Sequence, residues 1–598
     1  MCNKALEIQI STERKKSKKL QRRKKHIQRA ERECIVRNVL LFLSMLVSIT
    51  VFSASSAATE MRIQKKLVAT GWDHTDSQIL LTNLEQMEKR PFDGVVIYLT
   101  GHTAEDKPCQ LHPAFVNQKW ERQWFQICVD QLQSCKFKRF TDNFILFGAN
   151  PGDIDWFDDK GWQNIVEHWR IAGWIAKQSG FKGILFDPEP YTEPYAQFRY
   201  DAQPQHQQHS FDDYYAKARQ RGREVMQAVA EEYPNITIFC YFMNSINAAA
   251  TGHPNPNSVL CSMGYGLLPA FIDGWLDVTP QTVTFVDGCE SAYRYNSQQQ
   301  FLEAAVLIKG TCQELVSPEN RAKYRSQVQV GFGIYLDAYW NPTGPWYIDG
   351  LGGPRVERLR ANVQSALQIA DQYVWIYGEK FRWWPTANKS VREQSWSEAL
   401  PGCDQILHFA RDPLDYARSQ IAEAEQAGKL INPVKNGNFN LDTLKNDDGV
   451  EQKWQEGSPI GWHNWQQDNS HGTFTWDRRQ GAKNSGAAKA ANVTHGCFIQ
   501  EHNVQKGQRY ALRAARKIQG QGNAWIRIRW KTADDKWTTE SHDKLIVCEG
   551  PPGKWSEMLG VAQVPEDAGK LAILLGITGQ RSPEDIIWYD DVELYQLP

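Results

Sequence analysis

Eight short apolar runs alternate with amphipathic stretches between Lys66 and about Tyr416, and they constrain the fold of this chain more than any other feature. The runs are Leu67–Gly71, Gly94–Leu99, Phe144–Gly148, Gly183–Phe186, Ile236–Phe242, Val283–Val286, Val328–Tyr335 and Tyr373–Tyr377. Helical spacing separates most of them. It is clearest at Phe301–Leu315, at Val356–Ala370, and in the Trp162, Ile165, Val166, Trp169, Ile175, Ala176 series that Gly180 stops. Eight strand–helix units in roughly 350 residues predict an α/β fold, a (β/α)8 TIM-like barrel with enlarged loops. The rival is a doubly wound open sheet. The first run, however, ends in Gly71-Trp-Asp-His, which has none of the glycine spacing of a phosphate loop, and this counts against a nucleotide.

Beyond Ile431-Asn-Pro-Val434 the helical periodicity stops. Short aromatic runs separated by Gly, Asn and Asp take over, among them Thr473–Trp476, Tyr510–Ala514, Ala524–Trp530, Ala572–Leu575 and Ile586–Leu594. They predict an all-β sandwich over 431–598, with the barrel occupying 60–430.

The net charge of −1 hides an asymmetry, +9 within residues 1–38 and −10 after them. A basic arm alone suggests nucleic acid. Here it is followed by the uncharged apolar run Val39–Phe52 and by Ser53-Ala-Ser-Ser-Ala-Ala58, the order of an export signal with a cleavage position after Ala57. Residues 1–59 therefore predict a secreted, periplasmic or surface-anchored protein without a nucleic-acid partner. The twenty uncharged residues 39–58 are also long enough to associate with a membrane as an uncleaved anchor. Cysteine is too dilute for a disulfide scaffold; Cys497 and Cys548 are candidates to pair, and Cys240 reads as core. No CxxC pair or HExxH motif points to a resident metal, and the chemistry expected below requires no cofactor.

Acids and aromatics gather just past the predicted strands. The first run leads into Trp72, Asp73 and His74; the fourth into Asp187, Glu189 and Tyr191; the fifth into Tyr241 and Asn244. The sixth leads into Asp287 and Glu290, the seventh into Asp337, Tyr339 and Trp340, and the eighth into Glu379, Arg382, Trp383 and Trp384. In parallel α/β folds this rim is where chemistry is placed, and residues two apart on a strand point the same way, so Asp187 and Glu189 can share one site. Paired carboxylates perform glycoside hydrolysis: one protonates the leaving oxygen while the other attacks the anomeric carbon or activates water. The expected catalytic set is Glu189 as acid/base, Asp187 as its orienting neighbour and Glu379 as partner. Trp72, Asp73, Tyr191, Asn244, Asp287, Asp337, Arg382, Trp383 and Trp384 are the expected glycan contacts. Arg382 is suited either to a sugar carboxylate or to orienting Glu379, and Asn244 either to a sugar hydroxyl or to a helix cap.

The run Gly183-Ile-Leu-Phe-Asp-Pro-Glu-Pro-Tyr191 resembles the strand-four signature of chitinase-like family-18 hydrolases, roughly D-G-x-D-x-D-x-E-Y. That resemblance implies Glu189 as the general acid and Asp187 as the acid that orients the substrate acetamide. The run departs from the signature in Leu185, where the family has an earlier Asp, and in the prolines flanking Glu189. In the C-terminal region, Asn436-Gly-Asn-Phe439 and Trp588-Tyr-Asp-Asp-Val-Glu-Leu594 resemble the ends of CenC-type carbohydrate-binding modules, jelly rolls of the galactose-binding-like superfamily. This implies a structural calcium near Asp590 or Asp591, although Asn440 stands where the family has an acid. It also implies sugar stacking by one or two of Trp462, Trp465, Trp525, Trp530 and Trp537. The combined expectation is an exported glycoside hydrolase held to its glycan by a binding module. The alternative is a non-catalytic glycan-binding surface protein on a degenerate barrel. A lyase or esterase is a weaker rival, and no Gly-x-Ser-x-Gly elbow supports the esterase.

Overall fold

A computed structural model describes residues 65–193, 196–445, 449–483 and 485–598. The basic arm and the apolar segment 39–58, with the export reading placed on them, lie outside the described residues. The strands β1 (Lys66–Gly71), β2 (Gly94–Ile97), β3 (Phe144–Gly148), β4 (Gly183–Asp187), β5 (Thr237–Cys240) and β6 (Thr284–Asp287) pair in parallel in that order. The strand β7 has two segments. Val328–Val330 pairs with β6, while Phe332–Tyr335 pairs with β8 (Tyr373–Gly378), which returns to β1. The sheet thus closes into a parallel barrel, with the break at Gly331. A Cβ there would meet Val286 Cγ1 at 2.9 Å and the Tyr373 carbonyl at 3.2 Å, so the kinked strand passes close only because the residue is glycine.

Each strand is followed by a helix: α1 (Ser77–Met87), α2 (Gln126–Ser134), α3 (Asp159–Gln178), α4 (Phe211–Glu232), α5 (Leu268–Val278), α6 (Gln298–Lys309), α7 (Arg355–Ile369) and α8 (Cys403–Arg411). The local signals are ordinary ones. The Asp158 carboxylate caps α3 by accepting from Gly161 N–H, and Ser210 and Asp213 form a reciprocal capping box at α4. The apolar stripe of α3 buries Trp162, Ile165, Trp169 and Ile175 against the barrel. The segment between β2 and β3 folds into a small hairpin, Thr100–His102 with Pro108–Gln110, and then α2; its Trp120 is buried on the ring of His168 at 3.6 Å.

Inside the barrel, Phe144, Phe239 and Tyr373 meet with ring centroids 5.5–5.6 Å apart and fill its lower half. Alternation along β8 puts Trp375 and Tyr377 on the same inner face above them. The interior is therefore packed below and open only above, at the carboxyl ends of the strands.

A further helix, α9 (Pro413–Gln426), leads to the C-terminal β-sandwich. Its strands are β9 (His463–Gln466), β10 (Thr473–Asp477), β11 (Ala487–Ala491), β12 (His495–Asn503), β13 (Arg509–Gln519), β14 (Asn523–Lys531), β15 (Lys544–Ile546), β16 (Ser556–Gln563), β17 (Lys570–Thr578) and β18 (Ile586–Leu597). They form two antiparallel five-stranded sheets, ordered β9-β12-β17-β14-β15 and β10-β11-β18-β13-β16. Phe474, Phe498, Ile526, Ile528, Leu571 and Tyr589 lie in the core between them. Cys497 and Cys548 are free thiols rather than a disulfide. Cys497 packs with Ala572 and Leu574 in a small cluster apart from the main core, whereas the Cys548 sulfur accepts from Arg516 Nε at 3.2 Å.

Candidate active site

The carboxyl ends of the barrel strands surround a cavity of about 390 Å3. Its walls are aromatic because the inward positions of the strands are aromatic. Tyr241 stacks on Trp375 at 4.4 Å, Tyr293 on Tyr335 at 5.1 Å, and Tyr377 stands edge-on to Tyr241 at 6.0 Å. Trp72 and Trp346 complete the rim.

Four carboxylates line this cavity: Asp187 and Glu189 from the end of β4, Glu290 from the short 3-10 turn Glu290–Arg294 after β6, and Glu379 after β8. Asp187 is 3% exposed, and its Oδ1 accepts the Glu189 N–H at 2.9 Å. Burial, then the neighbouring Glu189 charge, pushes the Asp187 carboxyl up to about 8. Burial, followed by repulsion from Glu189 and Asp187, pushes Glu290 up to about 8 as well. The Tyr191 hydroxyl donates to Glu189 Oε2. Among the described residues no lysine or arginine lines the cavity, and His112, which does, is driven down to about 4 by burial and by the adjacent His74.

The loop bearing Glu189 is fixed from β3. Asn150 donates its side-chain amide to the Glu189 carbonyl at 2.8 Å, and its Oδ1 accepts from Tyr191 N–H at 2.7 Å and Thr192 N–H at 3.2 Å. On the opposite side, Asp337 Oδ2 accepts the Glu379 N–H at 2.8 Å, and burial lifts its carboxyl to about 6. Lys380 Nζ lies 3.8 Å from Glu379 and 4.9 Å from the Trp72 ring. Two carboxyls that hold protons near neutrality stand among others in an aromatic cleft. Such an arrangement can both donate a proton and supply a carboxylate base or nucleophile.

Of the residues singled out in the sequence, Trp72, His74, Asp187, Glu189, Tyr191, Tyr241, Glu290 and Glu379 line this cavity together. The others lie behind it. Asp73 is buried, accepts the Trp383 N–H at 2.6 Å, and its carbonyl accepts from the Trp384 indole at 2.9 Å; burial raises its carboxyl to about 7. Trp383 and Trp384 are themselves buried, edge-on to Phe92 at 5.1 and 6.0 Å, so they pin the loop after β8 to β1 and do not face the cleft. Asp287 is fully buried, accepting from the Ser245 hydroxyl at 2.6 Å and its N–H at 3.0 Å. Asn244, also fully buried, approaches the Cys312 carbonyl at 3.5 Å and opens the 3-10 helix Asn244–Ala250. Arg382 pairs its backbone with the Gln394 carbonyl at 3.3 Å, while the ion-pair partner of Glu379 is Lys380.

Among the cavity residues to which the strand-end pattern assigned no role are Tyr98, His112, Tyr241, Glu290, Tyr293, Tyr335, Trp346 and Tyr377. For Glu290 and Tyr241 the signal was present as proximity to a strand end. His112 comes from the β2–β3 insertion, where no periodicity marks it.

In the sandwich, Trp462 and Trp530 are core, whereas Trp465 and Trp537 are 50% and 46% exposed. Trp465 and Trp525 flank His495 at 5.8 and 6.4 Å, and the Trp525 ring lies over Gly576, where any Cβ would strike it. The residues expected to hold calcium have protein partners. Asp590 accepts from the Ser485 hydroxyl at 2.5 Å, Ala482 N–H at 2.6 Å and Asp591 N–H at 2.7 Å. Asp591 pairs with Lys483 at 3.1 Å, and among the described residues no group of three His, Cys, Asp or Glu is placed to hold a metal.

No family model and no curated protein matches the chain. Among solved structures, bacteriophage CBA120 tailspike protein 4 is similar at 15% identity and a TM-score of 0.22, over 28% of this chain and 22% of that one. The CBM22-1–GH10 modules of Clostridium thermocellum endo-1,4-beta-D-xylanase 10B are similar at 13% identity and a TM-score of 0.20, over 24% of this chain and 28% of that one. A CBM4 structure is similar at 18% identity and a TM-score of 0.20, over 27% of this chain and 99% of that one. The chain thus spans about a quarter of the tailspike and xylanase structures, and at such scores the fold rests on the strand pairing described above.

Proposed function

We propose that the barrel mouth hydrolyses glycosidic bonds in a polysaccharide or glycoconjugate outside the cytoplasm, and that the sandwich holds the protein on that glycan. The observation that carries this reading is the meeting of Asp187, Glu189 and Glu290 in one aromatic-walled cavity, with two of the three carboxyls pushed to about 8. Glu290, protonated at neutral pH, gives its proton to the leaving glycosidic oxygen. Glu189, whose carboxylate the Tyr191 hydroxyl stabilises, attacks the anomeric carbon or takes a proton from the attacking water. Asp187 orients Glu189 through its N–H and stays largely protonated. This gives the acid role to Glu290 instead of Glu189, because burial in the turn after β6 is what keeps a proton there. Glu379 stands on the far wall as a substrate contact or second carboxylate. The exposed Trp465 and the neighbouring Trp525 supply flat faces for sugar rings on the sandwich.

Reducing-sugar release by residues 60–598 on a broad glycan panel, run beside Glu189→Gln, tests the reading. Turnover in the wild type, lowered by about 10³-fold or more in the folded variant, is expected. Binding without turnover in both proteins would instead make the barrel a glycan-binding scaffold.

A further inference from the structure

The sandwich carries a cavity of its own, about 540 Å3, at the end where β13 turns into β14 and the 547–552 loop crosses it. Its inner wall contains Arg516. Along β13 the side chains of Leu512 and Ala514 enter the sandwich core, and Arg516 continues that inward series at 4% exposure. A guanidinium keeps its charge at any accessible pH, and burying it without a counter-charge is costly. Yet the partners of Arg516 are all uncharged or only partly charged. Nε donates to the Cys548 sulfur at 3.2 Å, and Nη2 donates to the carbonyls of Cys548 at 3.0 Å and Gly550 at 3.4 Å. Among the described residues no carboxylate forms an ion pair with it; Glu549, on the same wall, is exposed and does not reach it.

The opposite edge is built for close approach. Gly520 and Gly522, at φ +75° and +120°, carry the chain from β13 to β14 in conformations that side chains avoid, so this rim of the cavity is bare backbone. Trp525 adds a ring-bearing residue beside them. We infer that this end of the sandwich binds an acidic sugar residue, its carboxylate or sulfate supplying the counter-charge that Arg516 lacks. Nε and Nη2 are engaged by the Cys548 sulfur and the two carbonyls, so Nη1 is the guanidinium nitrogen left to donate to either oxyanion. The site is separate from the barrel mouth and does not depend on glycoside hydrolysis there.

Isothermal titration of the protein with D-glucuronate, D-galactose 6-sulfate and, as neutral control, D-glucose tests the assignment. The two acidic sugars are expected to bind, glucose to bind at least tenfold more weakly, and affinity to fall as salt rises. Two variants separate the site from the fold. Arg516→Gln removes the charge, while Val547→Trp, at a 67% exposed wall position, adds bulk to the cavity wall and leaves Arg516 in place. Each is expected to weaken acidic-sugar binding tenfold or more, and bound acidic sugar is expected to slow alkylation of Cys548. If Arg516→Gln does not fold, Val547→Trp and the alkylation rate decide. Failure of the wild type to bind either acidic sugar, equal binding of glucose, inorganic sulfate binding as tightly as the sugar sulfate, or unchanged binding in Val547→Trp would each overturn the inference.

Discussion

At the scale of single residues, the site is a problem of where protons sit. Asp187 is an ordinary aspartate in the unfolded chain, titrating near about 4, and in the folded chain it holds its proton up to about 8. The folded state therefore binds more protons than the unfolded one between those values, so the stabilisation this group contributes is full below about pH 4 and is lost as pH rises through the window. Glu290 contributes in the same direction. Asp187→Asn keeps an oxygen to accept the Glu189 N–H and removes the ionisation. It is expected to unfold at a higher temperature than wild type at pH 8, with the gap closing toward pH 4 in scanning calorimetry; parallel curves would contradict the titration. The pair Asp187 and Glu189 was legible because spacing of two on a strand puts two side chains on one face. Glu290 was not assignable in the same way. Asp287 is the acid at the strand end, but it turns into a buried bond with Ser245, and Cys289 at φ +44° redirects the chain so that the next acid faces the cleft. Alternation does not extend past a left-handed residue.

At the scale of elements, the loop after β4 that bears Glu189 owes its position to β3. Asn150 makes three hydrogen bonds to the backbone of residues 189–192 without lining the cavity. Asn150→Ala is expected to lower kcat by about 10- to 100-fold with a smaller change in KM, since each lost bond to a buried group is worth about 1 kcal/mol and Glu189 is left free to drift. Steady-state kinetics on any turned-over glycan checks this; an unchanged kcat would mean that the loop holds itself. Apolar runs bounded by helical periodicity marked all eight barrel strands to within a few residues. The break of β7 at Gly331 was not marked, because a glycine inside an apolar run looks the same whether the strand is straight or kinked. The β2–β3 insertion also escaped interpretation: Trp120 is there to pack on His168, and only the fold brings His112 to the mouth.

At the scale of the whole molecule, barrel and sandwich share a core of their own. Tyr416, Ala417 and Ile421 of α9 pack with Ala511 and Leu597 of the β10-β11-β18-β13-β16 sheet. Arg513 bridges Glu425 at 2.8 Å and also binds Glu593, and Arg509 reaches Glu357 of α7 at 3.6 Å. One sheet is thereby covered, while the other keeps Trp465 and Trp525 outward. Ile421→Asp, which places a charge in that small core, is expected to split a single calorimetric transition into two; one cooperative transition in the variant would mean that the domains are coupled elsewhere. The change of texture near residue 431 was readable in the sequence, whereas α9 was not singled out. Nor was the surface receiving it, since exposed strand positions such as Ala511 and Leu597 become buried only through a partner distant in sequence.

The most direct test of the central claim is to follow product formation in ¹⁸O-labelled water by mass spectrometry, for the wild type, Glu189→Gln and Glu290→Gln. Hydrolysis by the barrel mouth predicts one labelled oxygen at each new reducing end, with both folded variants losing turnover by about 10²-fold or more. Unlabelled unsaturated products, or labelled products formed at wild-type rates by both variants, would contradict it.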